Sequence, residues 1–321
     1  MTDNLYRNLG LDLVRVTEAA AVAAGRWMGL GKTAEADSQA SEAMAQAFET
    51  MDLDGIVVIG EESKADGRSP LETGQRLGSG DGPPMDLVVD AVDGARLLGR
   101  GQPDVIAVAS AAPRGTMWSP HPAVYMEKII VDRIAGPALV EECMDAPAAW
   151  TLALVARVKG KNVRDLVVFI LDRPRHRDLI EEVRAAGARV LMRSEGDVAG
   201  GLMAASEEAD VDILMGIGGV SEGVIAACGV KSLGGAMLGR LAPQTEAERA
   251  AVDAAGLDLR QIVTLAEVVK GNEIFFSATG ITDGVLLKGV RYRGREAHTE
   301  SLVLRCETKT RRIIEARHVV V

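Results

Sequence analysis

The chain has 321 residues, 47% hydrophobic and 26% charged, enough for one large or two ordinary globular domains. A formal net charge of −10 excludes a general nucleic-acid binder, which needs broad positive potential. No apolar stretch approaches the roughly 18–20 residues that a membrane-spanning helix needs.

The polar opening MTDNLYRNLG predicts no export signal. Leu9, Leu13, Val16, Ala20, Ala23 and Trp27 recur at alternating spacings of four and three, which predicts one face of a long amphipathic helix. Asp37 is expected to open a second helix, with Met44, Phe48 and Met51 on one side. GIVVIG (55–60) predicts a buried strand that delivers Glu61 at its C-terminal end. Residues 63–84 are rich in turn formers. MDLVVD (85–90) is the next strand and delivers Asp90, and DVIAVAS (104–110) is a third.

Residues 147–163 mix a helix with a linker, so a domain boundary is expected near 150, dividing the chain into 1–150 and 151–321. Beyond it strand and helix alternate. LVVFILD (166–172), ARVLMRS (188–194) and VDILMGIGG (211–219) read as strands, the last ending in a glycine turn. RDLIEEVRAAG (177–187), residues 197–206 and SEGVIAAC (221–228) read as helices, and together this is a parallel α/β pattern. The tail returns to strands at EIFFSATGI (273–281), ESLVLRCE (300–307) and RRIIEARHVVV (311–321). The fold class expected is therefore α/β.

Acids recur where this architecture exposes them: Asp37 at a helix start, Glu61 and Asp90 at strand ends, Asp93 on the following turn, and Glu222 just after Gly216–Gly219. Open α/β sheets bind ligands at the C-terminal ends of their strands. Carboxylates converging there repel one another unless a cation sits between them. Oxygen donors without cysteine or histidine suit Mg²⁺ or Mn²⁺ rather than zinc. Any single such acid is more often a helix cap or turn residue than a ligand, and spacing does not establish convergence.

Asp172-Arg173-Pro174-Arg175-His176-Arg177 is a basic exception in an acidic chain. Its arginine forks suit phosphate oxygens, and a solvated turn is the competing reading. Glu195-Gly196-Asp197 follows a strand and precedes a helix, so its amides suit an anion or sugar hydroxyls, whereas Asp197 alone suits a helix cap. Gly216-Ile217-Gly218-Gly219 lacks the third glycine of a dinucleotide fingerprint, since position 221 is Ser221, and no GxxxxGK[ST] loop occurs. The three cysteines lie outside any CxxC motif, which predicts neither a disulfide framework nor a zinc site and suits a reducing cytoplasm. His121, His298 and His318 share no spacing that would support a serine or cysteine nucleophile.

Ordered stretches then carry a resemblance: RVTEAAAVA (15–23), Ala36-Asp37, VIGE (58–61), VDxxxG (89–94), YMEK (125–128), RPRH (173–176), GDVA (196–199), GIGG followed by SEGV (216–224), GGAMLGRL (234–241) and FSATGIT (276–282). From about residue 11 to 318 the chain resembles the class II fructose-1,6-bisphosphatases, including bacterial enzymes that also hydrolyse sedoheptulose 1,7-bisphosphate. The resemblance implies the layered αβαβα sugar-phosphatase fold shared with inositol monophosphatases. It implies a metal-binding catalytic domain in 1–150, a sugar-phosphate-binding domain in 151–321, and a cytoplasmic homodimer or homotetramer. The implied substrate is a sugar bisphosphate, and the implied cofactor is Mg²⁺ or Mn²⁺.

The same resemblance puts metal ligands at Asp37, Glu61, Asp90, Asp93 and Glu222. It puts substrate contacts at Asp93, Gly94 and Ala95, at Tyr125, at Arg173, Pro174 and Arg175, at Glu195, Gly196 and Asp197, and at Gly219. Two or three cations would then bridge the carboxylates and the 1-phosphate and activate a water, while Arg173, Arg175 and Tyr125 hold the distal phosphate.

Three departures from the family pattern stand out. Where the family has D-P-x-[DE]-G-T, this chain has Asp90-Ala91-Val92-Asp93-Gly94-Ala95, without the proline and with the shorter acid. Ala95 replaces a threonine whose hydroxyl orients the attacking water, a loss on the order of 10²–10⁴ in rate. After VIGE, residues 62–71 do not align cleanly with the family loop, and Glu62 or Asp66 is expected to join Glu61 and Asp90 in the catalytic role. The alternative reading is a catalytically weakened paralogue that binds sugar phosphates in a regulatory role. An inositol-phosphate phosphatase is a third reading, opposed by RPRH and YMEK, which suit a second phosphate.

Overall fold

The computed structural model describes residues 9–60 and 69–320. They form two compact units, one from residues up to 117 together with those from 271 onward, the other from 118–270. The chain starts with helices α1 (Leu9–Gly25) and α2 (Thr33–Glu49). Strands β1 (Asp54–Ile59), β2 (Arg76–Leu77) and β3 (Pro84–Asp93), the short helix α3 (Ala95–Gly99) and β4 (Ile106–Pro113) follow. The second unit holds β5 (Tyr125–Val131), α4 (Ala148–Lys159), β6 (Val167–Leu171), α5 (Arg177–Ala185), β7 (Arg189–Arg193) and α6 (Asp197–Ala205). It continues with β8 (Ile213–Gly219), α7 (Val220–Leu233), β9 (Ala236–Leu241), α8 (Glu246–Ala254), β10 (Val263–Thr264) and α9 (Leu265–Val268). The chain then returns to the first unit with β11 (Phe275–Gly280), β12 (Arg291–Arg293), β13 (Glu296–Arg305) and β14 (Thr310–Val319).

The first sheet runs β12-β13-β11-β4-β3-β1-β2, with β14 on β13. β11 lies antiparallel to β4, with Ser277 opposite Ala109. That pairing overturns the single boundary expected near 150, because the tail strands complete the first sheet instead of extending the second domain. Leu13, Val16 and Ala20 of α1 and Met44 and Phe48 of α2 share a core with Leu87, Val89, Ala107, Ala109 and Ala111 on one face of that sheet. Each large apolar side chain buried in this way contributes about 1.5–3 kcal/mol. α1 is also pinned by polar contacts, since the Thr17 hydroxyl lies 2.9 Å from Ser277 Oγ and accepts from Thr279 at 2.7 Å.

The second sheet runs β10-β9-β5-β8-β6-β7. β6 is parallel to β7 and β8, whereas β5 is antiparallel to β8 and β9, so the parallel pattern holds for three strands of a mixed sheet. Leu152 and Val155 of α4 and Ile180 and Val183 of α5 pack with Ile129, Val168 and Ile170 on one face. α6 and α7 cover the other face, where small residues let the helices lie close. A Cβ on Gly201 would meet Ile130 Cδ1 at 3.1 Å, and one on Gly223 would press on Met126 Sδ. The class is thus mixed α/β in layers, with helices on one face of the first sheet and on both faces of the second. Among the described residues no helix is long and apolar enough to cross a membrane.

Two local expectations change. α2 begins at Thr33, so Asp37 sits a turn inside the helix and not at its start. Gly216-Ile217-Gly218-Gly219 is strand, the end of β8, and runs straight into α7 without a turn.

Candidate active site

In the first unit the acids gather on β3. Asp90 pairs with Val108 and Asp93 with Ile106, so three residues of β3 advance against two of β4. This is a β-bulge. Ala91 and Val92 both turn into the core beneath the helices. Because Val108 and Ile106 are two apart, their partners Asp90 and Asp93 lie on one face of the sheet, the face away from that core. Both are buried. Asp90 Oδ1 accepts the Val92 N–H at 3.0 Å, so the carboxylate itself fastens the bulge. The missing family proline is therefore not needed for the bulge to form.

Gly94 follows with φ 109°, a left-handed conformation that suits glycine, and caps α3. Ala95 is the first residue of α3, and its methyl packs against the apolar core. Asp86 stands on the same face of β3 but is occupied structurally, accepting the N–H groups of Thr116 at 2.9 Å and Met117 at 3.1 Å. Asp37 is half-buried on α2. β1 runs parallel to β3 and ends at Ile59, level with Val88. Glu61, Glu62 and Asp66 lie outside the described residues. Among the described residues no three acidic, histidine or cysteine side chains are grouped to hold a metal ion. The two side chains that the bulge places together, Asp90 and Asp93, are nevertheless both carboxylates, a chemistry that fits a hard divalent cation.

In the second unit the strand ends carry a mixed cluster. The Arg175 guanidinium stacks over the Tyr125 ring, 5.1 Å from its centroid, and donates from Nε and Nη2 to the Ile217 carbonyl at 3.2 and 2.9 Å. Burial pulls the Arg175 guanidinium below the usual arginine range and Arg173 adds to this, while Tyr125, Asp197 and Glu222 oppose it. Arg173 lies 3.7 Å from Glu195, and Pro174, between the two arginines, opens the one-turn helix Pro174–His176. Tyr125 pairs with Gly219 across β5 and β8. A Cβ at Gly219 would collide with the Glu222 carboxylate, which also accepts from Ser221 Oγ at 2.8 Å. Asp197, buried, is the first residue of α6 behind Gly196 at φ 89°. Tyr125, Arg173, Arg175, Asp197, Gly219 and Glu222 are thus neighbours within this unit. Arg177 is exposed on α5 and stands apart from the turn's two half-buried arginines.

Three further residues hold this cluster in roles that the sequence does not give them. His176 is buried, accepts the Ile217 N–H on Nε2 at 2.8 Å and donates from Nδ1 to the Leu171 carbonyl at 2.6 Å. Both ring nitrogens are therefore used by the neutral ring. Burial lowers its pKa, Arg175 and Lys128 push the same way, and the Leu171 carbonyl and Asp197 oppose. Glu248 accepts the N–H groups of Val124 and Tyr125, both at 2.9 Å, and fixes the start of β5. Lys128 is wholly buried and lies 2.5 Å from Asp197. A lysine inside the apolar strand YMEKIIV is a signal that the sequence did carry.

The chain also matches known proteins along nearly its whole length. Residues 7–318 match the family described as bacterial fructose-1,6-bisphosphatase, glpX-encoded. The chain is 35% identical to a fructose-1,6-bisphosphatase class 2 of Haemophilus influenzae, over 98% of this chain and 97% of that protein. It is also 35% identical to fructose-1,6-bisphosphatase 1 class 2 of Escherichia coli strain K12, over 98% of this chain and 96% of that protein.

Proposed function

Because the chain belongs to the bacterial fructose-1,6-bisphosphatase family, we propose that it hydrolyses the 1-phosphate of fructose 1,6-bisphosphate, releasing the sugar monophosphate and inorganic phosphate. The observation that carries this reading is the bulge that brings Asp90 and Asp93 onto one face of β3. Two buried carboxylates side by side repel each other, and a divalent cation relieves that repulsion.

The residues proposed to hold Mg²⁺ or Mn²⁺ are Asp37, Glu61, Asp90, Asp93 and Glu222. The chemistry such a cation supplies is charge neutralisation at the phosphate and a more acidic water. The protein's own groups do the rest. Arg173 and Arg175 bind the distal phosphate, with Arg175 oriented by Tyr125 and by the Ile217 carbonyl. Glu195, Gly196 and Asp197 receive sugar hydroxyls, and Gly94 and Gly219 let the substrate approach the backbone. Glu62 or Asp66 positions the attacking water in place of the family's threonine.

A second reading, a paralogue that binds sugar phosphates in a regulatory role, is favoured by one feature. Ala95 presents a methyl to the core and no hydroxyl to a water. Inorganic phosphate release from fructose 1,6-bisphosphate with Mg²⁺ or Mn²⁺, beside calorimetric binding of the same sugar, separates the two. Release supports the hydrolase. Tight binding without release supports the paralogue, and neither binding nor release overturns both. Sedoheptulose 1,7-bisphosphate belongs in the same assay. A cytoplasmic homodimer or homotetramer completes the proposal, and light scattering checks the assembly.

A further inference from the structure

Lys128 is 0% exposed in a row of β5 side chains, Met126, Lys128 and Ile130, that lies under α6 and α7. Lysines are almost never wholly buried unless paired. Its cross-strand neighbours are glycines on both sides, Gly216 of β8 and Gly239 of β9. Its ammonium lies 2.5 Å from Oδ2 of Asp197, which is itself 7% exposed. A Cβ on Gly218 would fall on both the carboxylate and the ammonium, so the strand is bare where the pair sits.

An apolar pair of similar volume would hold this position at least as stably, because removing two charges from water costs more than a buried pair usually returns. Packing therefore gives no reason for the pair. Its surroundings do. Asp197 lies within electrostatic reach of Arg175 and His176, in the cluster that also carries Tyr125 and Glu222. The N-terminus of α6 favours a carboxylate at Asp197, but a helix end does not fix which way the carboxylate turns.

We infer that Lys128 is a positioning residue for the sugar-phosphate site: it grips Asp197 by Oδ2 and leaves Oδ1 to accept from a substrate hydroxyl. The inference deepens the proposed function and rests on the assignment of Asp197 as a substrate contact. Lys128 does not touch the substrate. It keeps the Asp197 carboxylate turned in one direction, so its effect runs through that carboxylate alone.

The test is a double-mutant cycle on the full chain, with Kd for fructose 1,6-bisphosphate by calorimetry and KM and kcat by phosphate release. Lys128→Met is expected to raise Kd and KM about tenfold or more while kcat changes less than about threefold. In an Asp197→Asn background, Lys128→Met is expected to add no further loss. Unchanged Kd in Lys128→Met overturns the inference, and so does a fully additive loss in the double variant. Should Lys128→Met not fold, Gly218→Ala keeps both charges and displaces them. A raised Kd there supports the inference, and an unchanged one overturns it. No binding by the unmodified protein would overturn the functional reading, and this inference with it. Binding by that protein with Kd unmoved in the variants overturns the inference alone.

Discussion

Asp90 and Asp93 face the same side of the first sheet although they stand three positions apart on β3, because Ala91 and Val92 both turn into the core. Regular alternation would put the two carboxylates on opposite faces. The bulge is what makes a pair of them, and Asp90 helps to hold the bulge by accepting the Val92 N–H. Asp90→Asn keeps that acceptor and removes the charge. It is expected to lose phosphate release by more than about a hundredfold, with unfolding stability within about 1 kcal/mol of the unmodified protein. Asp90→Leu is expected to lose both. Parallel phosphate assays and thermal melts check this, and an Asp90→Asn protein with near-normal release would remove Asp90 from the site.

Ala95 stands at the first position of α3 with its methyl against the core. Ala95→Thr restores a hydroxyl there without touching the bulge. The expected result is a kcat for fructose 1,6-bisphosphate raised by on the order of 10²-fold with KM little changed. An unaltered kcat would show that water is oriented from elsewhere in this protein.

His176 ties the Arg173–Arg175 turn to β8 only while its ring is neutral, since Nε2 must accept from Ile217. Burial lowers its pKa in the folded state, so the unfolded chain binds the proton first. Stability from this group is complete above the ordinary value of about 6.5 and is lost as pH falls below it, by up to about 1.4 kcal/mol per pH unit until the folded pKa is reached. Melting temperature is expected to drop between pH 7.5 and pH 5, and KM to rise over the same range. Burial and His298 lower His318 as well, so the contribution of His176 is read by comparison with His176→Asn, whose profile is expected to be flatter. Parallel profiles for the two proteins would refute the assignment.

A second buried network holds the other end of the second sheet. Lys159 of α4 lies 2.7 Å from both Asp132 and Asp212, and Lys161 joins Asp212 at 2.6 Å. Burial alone would lower the Lys159 ammonium, but its bonds to Asp132 and Asp212 outweigh that and raise it. Lys159→Met leaves two buried carboxylates short of their cation. A loss of about 3–5 kcal/mol in urea unfolding is expected, with KM little changed in whatever fraction stays folded. A smaller loss than about 1 kcal/mol would mean that Lys161 suffices.

Elements with a strong local pattern are legible in the sequence. The four-and-three spacing of α1 and the apolar runs of β3, β6 and β11 stand where periodicity puts them. β5 and β9 escape it, because Glu127 and Lys128 interrupt one and Gly239 and Arg240 the other. The boundary near 150 fails for a different reason: nothing local in FFSATG says that it pairs with a strand more than a hundred residues earlier. At the site, the sequence points to Asp90, Asp93 and the arginine turn. It does not show the bulge, which exists only as a mismatch between β3 and β4, nor the bonds that make His176 and Glu248 anchors.

The return of β11 to β4 also bears on how a ribosome can deliver this protein. Residues 118–270 emerge in one run and can close their own core as they appear. The helix α1, made near the start, has no such prospect. Its Thr17 waits for Ser277 and Thr279, about 260 residues later in synthesis. Until then the apolar side of α1 has no strand β11 to lie against. The first unit, though translated first, is the last to be finished, and its half-built sheet is the stretch of the nascent chain in most need of a chaperone.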